Sequence, residues 1–387
     1  MQITPRQALT QFAQLLQGTL FGALEASLGA FSEQAKLLIS VLTLVPMQKH
    51  LAPGRGWPGR PAKQRSALAT AFLAKAIYGL GSTRQLIERL QCDRQLLRLC
   101  GWDHVGQLPS ESTFSRAFGE FAQSELPQRL HAALIACTQK NRIIGHIARD
   151  STAIEAREKF PESKPAKQKR YQRRPKRCKA SERGTRLERQ RKQTLARQLA
   201  ELPQQCSIGV KTSSKGYLSY WRGYKLHLDV ADGQVPISAL LTGASVHDSQ
   251  AAIPLMTMST QRVTYLYDLM DSAYDAAAIR AHSAQLGHRA ITDRPKRYRK
   301  TGERKVLLRK NSRSWTRVIE KELRAEEMTW AEQDRFAERT MVERVFSRLK
   351  DEFGARLIRV RGASKIMAHL MFGVLALSID QLLKLTG

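Results

Sequence analysis

The sequence predicts an all-helical N-terminal region followed by an α/β region. Apolar residues recur at helical spacing up to about residue 140. From Arg142 the apolar runs become β-like, rich in β-branched and aromatic residues and closed by turns. Two long basic runs, almost free of aliphatic residues, interrupt this second part.

In the first part, TQFAQLLQGTLFGALEASLGAF and RSALATAFLAKAIYGL carry helical periodicity, separated by the Pro/Gly-rich basic loop LAPGRGWPGRPAKQR. GSTRQLIERLQCDRQLLRLCGW follows, with Ser82 or Thr83 as an N-cap, and LPSESTFSRAFGEF restarts a helix behind Pro109 and Ser110. An ordinary helical bundle is the expected packing, and a helix-turn-helix built from these segments is the alternative.

In the second part, RIIGHIARDS, GYKLHLDVA, VPISALLTGASV and RVTYLYDLMDS read as strands. The Asp-Gly in VADGQV joins two of them as a hairpin. Helical patterns return at AYDAAAIRAHSAQLG and from Phe336 to Phe353. A hairpin sheet followed by strand–helix units argues for an α/β architecture. The division falls at residues 1–140 and 141–387, with basic insertions at about 157–205 and 293–334. The most apolar segment, Ile366–Leu385, carries His369, Asp380, Gln381 and Lys384, which suits a buried core helix and not a membrane span. His369 reads as a satisfied core histidine, and Trp221 and Trp330 as packing residues.

The 387 residues contain 64 Lys and Arg against 34 Asp and Glu, a net charge of +30. Self-repulsion of that size calls for a polyanionic partner, and nucleic acid leads because phosphate neutralisation by Lys and Arg supplies most non-specific affinity. Arg173 and Arg174 in the first basic run, Lys296 and Arg297 in the second, and Lys211 and Lys225 on the sheet are the candidate DNA contacts. Tyr171, Tyr298 and Trp315 lie among the charges, placed for stacking on bases or for local packing. Cys92, Cys100, Cys137, Cys178 and Cys206 are odd in number, scattered and without a CxxC pair, which points to reduced thiols inside a cell. The N-terminus lacks a signal-peptide pattern, so a cytoplasmic protein is expected.

The chemistry is expected from carboxylates. Asp150 ends the first strand, as a turn residue or as a ligand at the mouth of a sheet. YLYDLMDSAYD offers Asp268, Asp271 and Asp275. With the strand placed at Arg262–Tyr267, Asp271 lies near its carboxyl end, where open α/β sheets bind ligands. Asp268 is the second choice, and Asp275 reads as the cap of the helix from Ala276. On the helix FAERTMVERVFSRLKDEFG, Val342, Val345, Phe346, Leu349 and Phe353 form an apolar stripe, with Arg339, Glu343 and Lys350 in a band at its edge. That band is either a surface salt-bridge ladder or a carboxylate ligand flanked by two phosphate-gripping cations. Carboxylates from two strands and a helix suit Mg²⁺, which takes hard oxygen ligands and substrate phosphate. Metal-dependent phosphodiester chemistry follows. His247-Asp248 after a strand reads as a structural turn, with a contact to the scissile phosphate as the alternative.

ARDSTAIEARE, GYKLHLDVADGQVPISALLTGASVHDSQAA, YLYDLMDSAYDAAAI and RTMVERVFSRLKDEFGARLIRVRG, in this order, resemble bacterial insertion-sequence transposases of the DDE type, specifically the group with a Tyr-x2-Arg-x3-Glu-x6-Lys signature. Arg339, Glu343 and Lys350 match its spacing, while Phe336 stands at the Tyr position. The resemblance spans most of residues 142–387, and STRQLIERL…PSESTFSRAF is similar to the group's helical leader. It implies an RNase H-like catalytic core preceded by the helical domain, with Asp150, Asp271 and Glu343 as the metal-binding triad, Mg²⁺ as the cofactor and Mn²⁺ as its substitute. It also implies cleavage of double-stranded DNA at the element's ends, strand transfer into target DNA, and a homodimer on DNA, without a membrane. The alternatives are a nuclease of the same fold and a non-catalytic DNA-binding protein derived from a transposase.

Overall fold

A computed structural model describes residue 11 and residues 14–16, 20–51, 64–158, 185–212, 217–293 and 328–385. Arg173, Arg174, Lys296, Arg297, Tyr171, Tyr298 and Trp315 lie outside the described residues.

The N-terminal part is helical as its periodicity predicts: α1 (Phe21–Leu28), α2 (Glu33–Leu44), α3 (Arg65–Ile77), α4 (Thr83–Cys92), α5 (Arg94–Leu99), α6 (Glu111–Gln123) and α7 (Leu126–Thr138). Ser82 caps α4 in a capping box with Gln85, which satisfies two otherwise orphaned N–H groups. The segment read as one helix is two, because Asp93 caps α5 by accepting from the Leu96 N–H. α3 is buried almost throughout, and Phe72 packs against Phe114, Phe118 and Phe121 of α6. The segments therefore build a bundle.

The α/β part begins with β1 (Ile143–Glu155). After α8 (Arg186–Arg191) and α9 (Leu195–Ala200) come β2 (Ser207–Thr212), β3 (Leu218–Ala231) and β4 (Val235–Gly243). Then follow α10 (Ser249–Arg262), β5 (Thr264–Met270), α11 (Ala277–Gln285) and β6 (Arg289–Thr292). The described chain closes with α12 (Trp330–Ala337), α13 (Met341–Asp351) and α14 (Ala363–Lys384). The sheet runs β2-β3-β1-β5-β6, with β4 also paired to β3. β3 is antiparallel to β1, β2 and β4, whereas β5 and β6 run parallel to β1. This mixed sheet, four antiparallel strands (β1–β4) followed by parallel strand–helix units, is consistent with an RNase H-like core.

The hairpin predicted at VADGQV is present, with Gly233 and Gln234 both at positive φ. β3 passes from β2 to β4 at Gly223, where a Cβ would fall 2.0 Å from the Ile154 carbonyl oxygen and φ is +152°, so only glycine fits. Residues 186–200, assigned by sequence to a basic insertion, instead form α8 and α9 against α10 and α11. Their scarce aliphatics are supplemented by buried amides: Gln190 and Gln198 are fully buried and donate to backbone carbonyls.

α14 is long and apolar enough to cross a membrane, yet it is largely buried in this fold. It packs on α3, α6, α7 and β4, with Phe372 stacked on Phe72, so one hydrophobic core runs from the bundle to the sheet. His369 within it hydrogen-bonds the Gly354 carbonyl, as a core histidine should. Trp221 packs over Gly209 and donates to the Tyr224 carbonyl, but Trp330 is 83% exposed at the start of α12, contrary to its reading as a packing residue.

Candidate active site

Parallel pairing places Arg149 opposite Met270. Asp271 therefore follows the last residue of β5, whereas Asp150 stays within β1, which runs on to Glu155. Asp150 pairs with Leu228 of β3, so the expectation that it ends the first strand is corrected. The two carboxylates meet where β5 stops beside the continuing β1. Asp150 accepts the Ser151 N–H at 2.7 Å. Asp271 accepts the Ala273 N–H at 2.9 Å and caps the 3-10 turn Ser272–Tyr274. Burial, opposed by the Ser151 hydrogen bond and reinforced by the Asp271 and Asp248 charges, pushes the Asp150 carboxyl up to about 7. Asp271 is also raised, first by burial and then by Asp248, against the pull of the Ala273 N–H, Arg339 and His247.

Asp248, at the start of α10, is the neighbour that sequence reasoning passed over. Its carboxylate receives the Lys225 ammonium at 2.9 Å. Burial raises its pKa, but His227 and Lys225 more than offset that and hold it below the usual carboxylate range. Its sequence signal was its position just after a strand, ahead of a helix. His247 is exposed and hydrogen-bonds Ser249, a turn role. Tyr274 completes the group: its ring is fully buried, and its hydroxyl has no hydrogen-bond partner among the described residues.

The Glu343 carboxylate does not join Asp150 and Asp271. It is 58% exposed in the first turn of α13 and lies 3.5 Å from Arg339. Among the described residues, no three His, Cys, Asp or Glu side chains come together in a metal-binding group. Three carboxylates repel one another, and the Arg339 guanidinium offers Glu343 a closer opposite charge. Arg339 links the parts, since its charge also lowers both Asp150 and Asp271. Its guanidinium lies 5.8 Å from the centre of the buried Phe336 ring, so aromatic packing persists at the signature Tyr position. Lys350 donates to Thr152 at 2.6 Å, and burial, with Arg356 and Lys211 nearby, lowers its pKa.

The other candidates separate by geometry. Lys211 is exposed on β2. Lys225 is only 15% exposed and is committed to Asp248 and the Val246 carbonyl, which corrects its reading as a phosphate contact. Asp268 is fully buried in a strand that runs on to Met270, ion-paired to Arg149 on the face opposite Asp271, and is no second choice for a ligand. Asp275 pairs with Arg280, while Ala276 occupies the cap position of α11 without a side-chain bond.

The mixed sheet thus brings together one carboxylate within β1 and a second just past β5, and the family comparison identifies the class of enzyme. The family described as "Transposase DDE domain" matches residues 142–379, and the "Transposase domain (DUF772)" family matches residues 27–120. The first match covers more than half of the chain, so the protein belongs to the DDE transposases: it is a transposase, a phosphoryl-transfer enzyme of a family that acts on DNA and uses divalent metal. No curated protein and no solved structure matches the chain.

Proposed function

We propose that this protein is an insertion-sequence transposase that cuts DNA at its element's ends and joins them to target DNA, with Asp150 and Asp271 as the core of its metal site. The juxtaposition of Asp150, within β1, and Asp271, just past the end of β5, carries the reading. Their oxygens are hard donors, and burial, reinforced by neighbouring carboxylates, makes their ionised form costly, a cost that a divalent cation relieves. The donor set therefore fits Mg²⁺, or Mn²⁺ in its place. Glu343 is the third ligand in this proposal, reached by exchange of its Arg339 partner. A divalent ion held there supplies charge neutralisation at the scissile phosphate and activation of the attacking oxygen.

The chain's own residues do the rest. Arg339 and Lys350 flank the carboxylates as the phosphate-positioning cations, and Lys211 extends the basic track along β2. Arg173, Arg174, Lys296 and Arg297 supply further sequence-independent phosphate contacts. Lys225 keeps Asp248 charged and in place. Assembly as a homodimer on paired DNA ends, in the cytoplasm, completes the proposal.

The test is a labelled duplex carrying the DNA end that flanks the gene, incubated with Mg²⁺ or EDTA and with target DNA. Metal-dependent nicking at the boundary plus joined products, both absent in Asp150→Ala, is the expected result. Nicking without joined products identifies a nuclease, and binding without nicking identifies a non-catalytic DNA-binding protein.

A further inference from the structure

Behind the two aspartates, on the opposite face of the sheet, lies a cluster that the chemistry above does not use. Arg149 immediately precedes Asp150, and its side chain is completely buried. Its guanidinium reaches Asp229 of β3 at 2.7 Å and Asp268 of β5 at 3.2 Å, and also meets the Met270 sulfur at 3.4 Å. Both carboxylates are fully buried. Asp229 accepts from Ser259 of α10, which also meets Ser238 of β4, and Asp268 accepts from Ser283 of α11 and from Tyr265. One side chain thus ties β1 to both its neighbours, and two helices hold its partners.

We propose that Arg149 is a positioning residue: the Arg149–Asp229–Asp268 clamp fixes β1 against β5 in the register that sets Asp150 beside Asp271. Two observations favour a geometric role over simple stabilisation. The clamp is incompletely satisfied, since Arg149 Nε and Asp229 Oδ1 are buried without a partner among the described residues. Buried ion networks of this kind are commonly matched or exceeded in stability by apolar side chains. Its position also matches the role. Met270 and Asp268 are the last two residues of β5 on that face, so the guanidinium fastens the strand at its final turn before the site.

The proposal rests on Asp150 and Asp271 being metal ligands, so the experiment includes Asp150→Ala. The variants are Arg149→Lys, which keeps the charge but loses the planar fork, and the charge-neutral triple Arg149→Met, Asp229→Asn, Asp268→Asn. Each is measured for thermal unfolding, Mn²⁺ binding by electron paramagnetic resonance of free Mn²⁺, duplex binding and cleavage. The expected result is a folded triple variant with duplex binding within about twofold of wild type. Its Mn²⁺ affinity and cleavage rate fall at least ~10-fold, because misplaced ligands lose affinity, and Arg149→Lys lies between. Triple and Lys variants that fold and match wild type in Mn²⁺ affinity and cleavage overturn the clamp. A triple variant that does not fold, beside a folded Arg149→Lys with wild-type metal affinity, also overturns it. Wild-type Mn²⁺ binding in Asp150→Ala instead defeats the underlying metal-site reading.

Discussion

The two faces of one short stretch of sheet treat aspartate in opposite ways. On one, Asp229 and Asp268 are sealed from water and share Arg149 and several hydroxyl donors; these hold Asp268 below the usual carboxylate range, whereas at Asp229 burial outweighs them and raises it. On the other, Asp150 and Asp271 meet backbone N–H groups and another carboxylate, with Arg339 as the nearby cation, and both are pushed towards protonation. Adjacent residues of one strand, Arg149 and Asp150, belong to the two regimes because strand side chains alternate. Carboxylates paired with a buried cation build the scaffold, whereas half-buried carboxylates set beside one another are available to a ligand.

The largest expected effect breaks the half-buried side of this comparison. Asp150→Ala or Asp271→Ala should lower metal-dependent cleavage at least ~10³-fold, since several kcal/mol of charge stabilisation is lost at about 1.36 kcal/mol per tenfold. Duplex binding by gel shift should barely change. Breaking the sealed side should read out in stability instead. Asp268→Ala leaves Arg149 with one carboxylate and should cost roughly 3–5 kcal/mol in chemical denaturation. A loss below about 1 kcal/mol would mean that water or a neighbour compensates the guanidinium.

How much of this contrast the sequence reveals depends on range. Asp271 is legible because the turn after β5 marks that strand's end, whereas Asp150 is read as a strand end although β1 continues beyond it to Glu155. Asp268 is misjudged when β5 is ended at Tyr267: extending the strand to Met270 turns its side chain inward. Its partner Arg149 is invisible for the same reason, since Asp229 and Asp268 are 80 or more residues away and meet it only through pairing. β6 is a four-residue strand, too short for a periodic signal. α10 contains Pro254 and buries most of its first half, so it shows neither a clean helical pattern nor a polar face. Glu343 is recognised by spacing and resemblance, but spacing along a helix says nothing of whether Arg339 holds its carboxylate away from the strands.

A subtler test of the comparison uses pH. His131 and His369 are fully buried, and desolvation lowers each to about 3, while His227 falls to about 4 for the same reason. The unfolded chain binds protons at about 6.5 where the folded one does not, so stability is complete above that value and declines below it. Each histidine should remove about 1 kcal/mol between pH 6.5 and 5.5. Denaturation midpoints at the two pH values check this, and His131→Gln should flatten the slope. The smallest structural effect belongs to Glu343→Gln. An exposed side chain should leave stability within about 0.5 kcal/mol of wild type, while cleavage falls sharply. Unchanged cleavage would remove Glu343 from the ligand set and leave Asp150 and Asp271 to be completed by another group, with Asp248 the nearest.

The central claim is that the paired carboxylates within β1 and just past β5 form a divalent-metal site. The most direct measurement is Mn²⁺ binding to the whole protein, comparing wild type with Asp271→Asn at matched folded fraction. The account predicts saturable binding in wild type and at least ~10-fold weaker binding in the variant, as removal of a ligand requires. Equal binding by the two proteins would contradict it and return Asp150 to an ordinary strand residue and Asp271 to a turn residue.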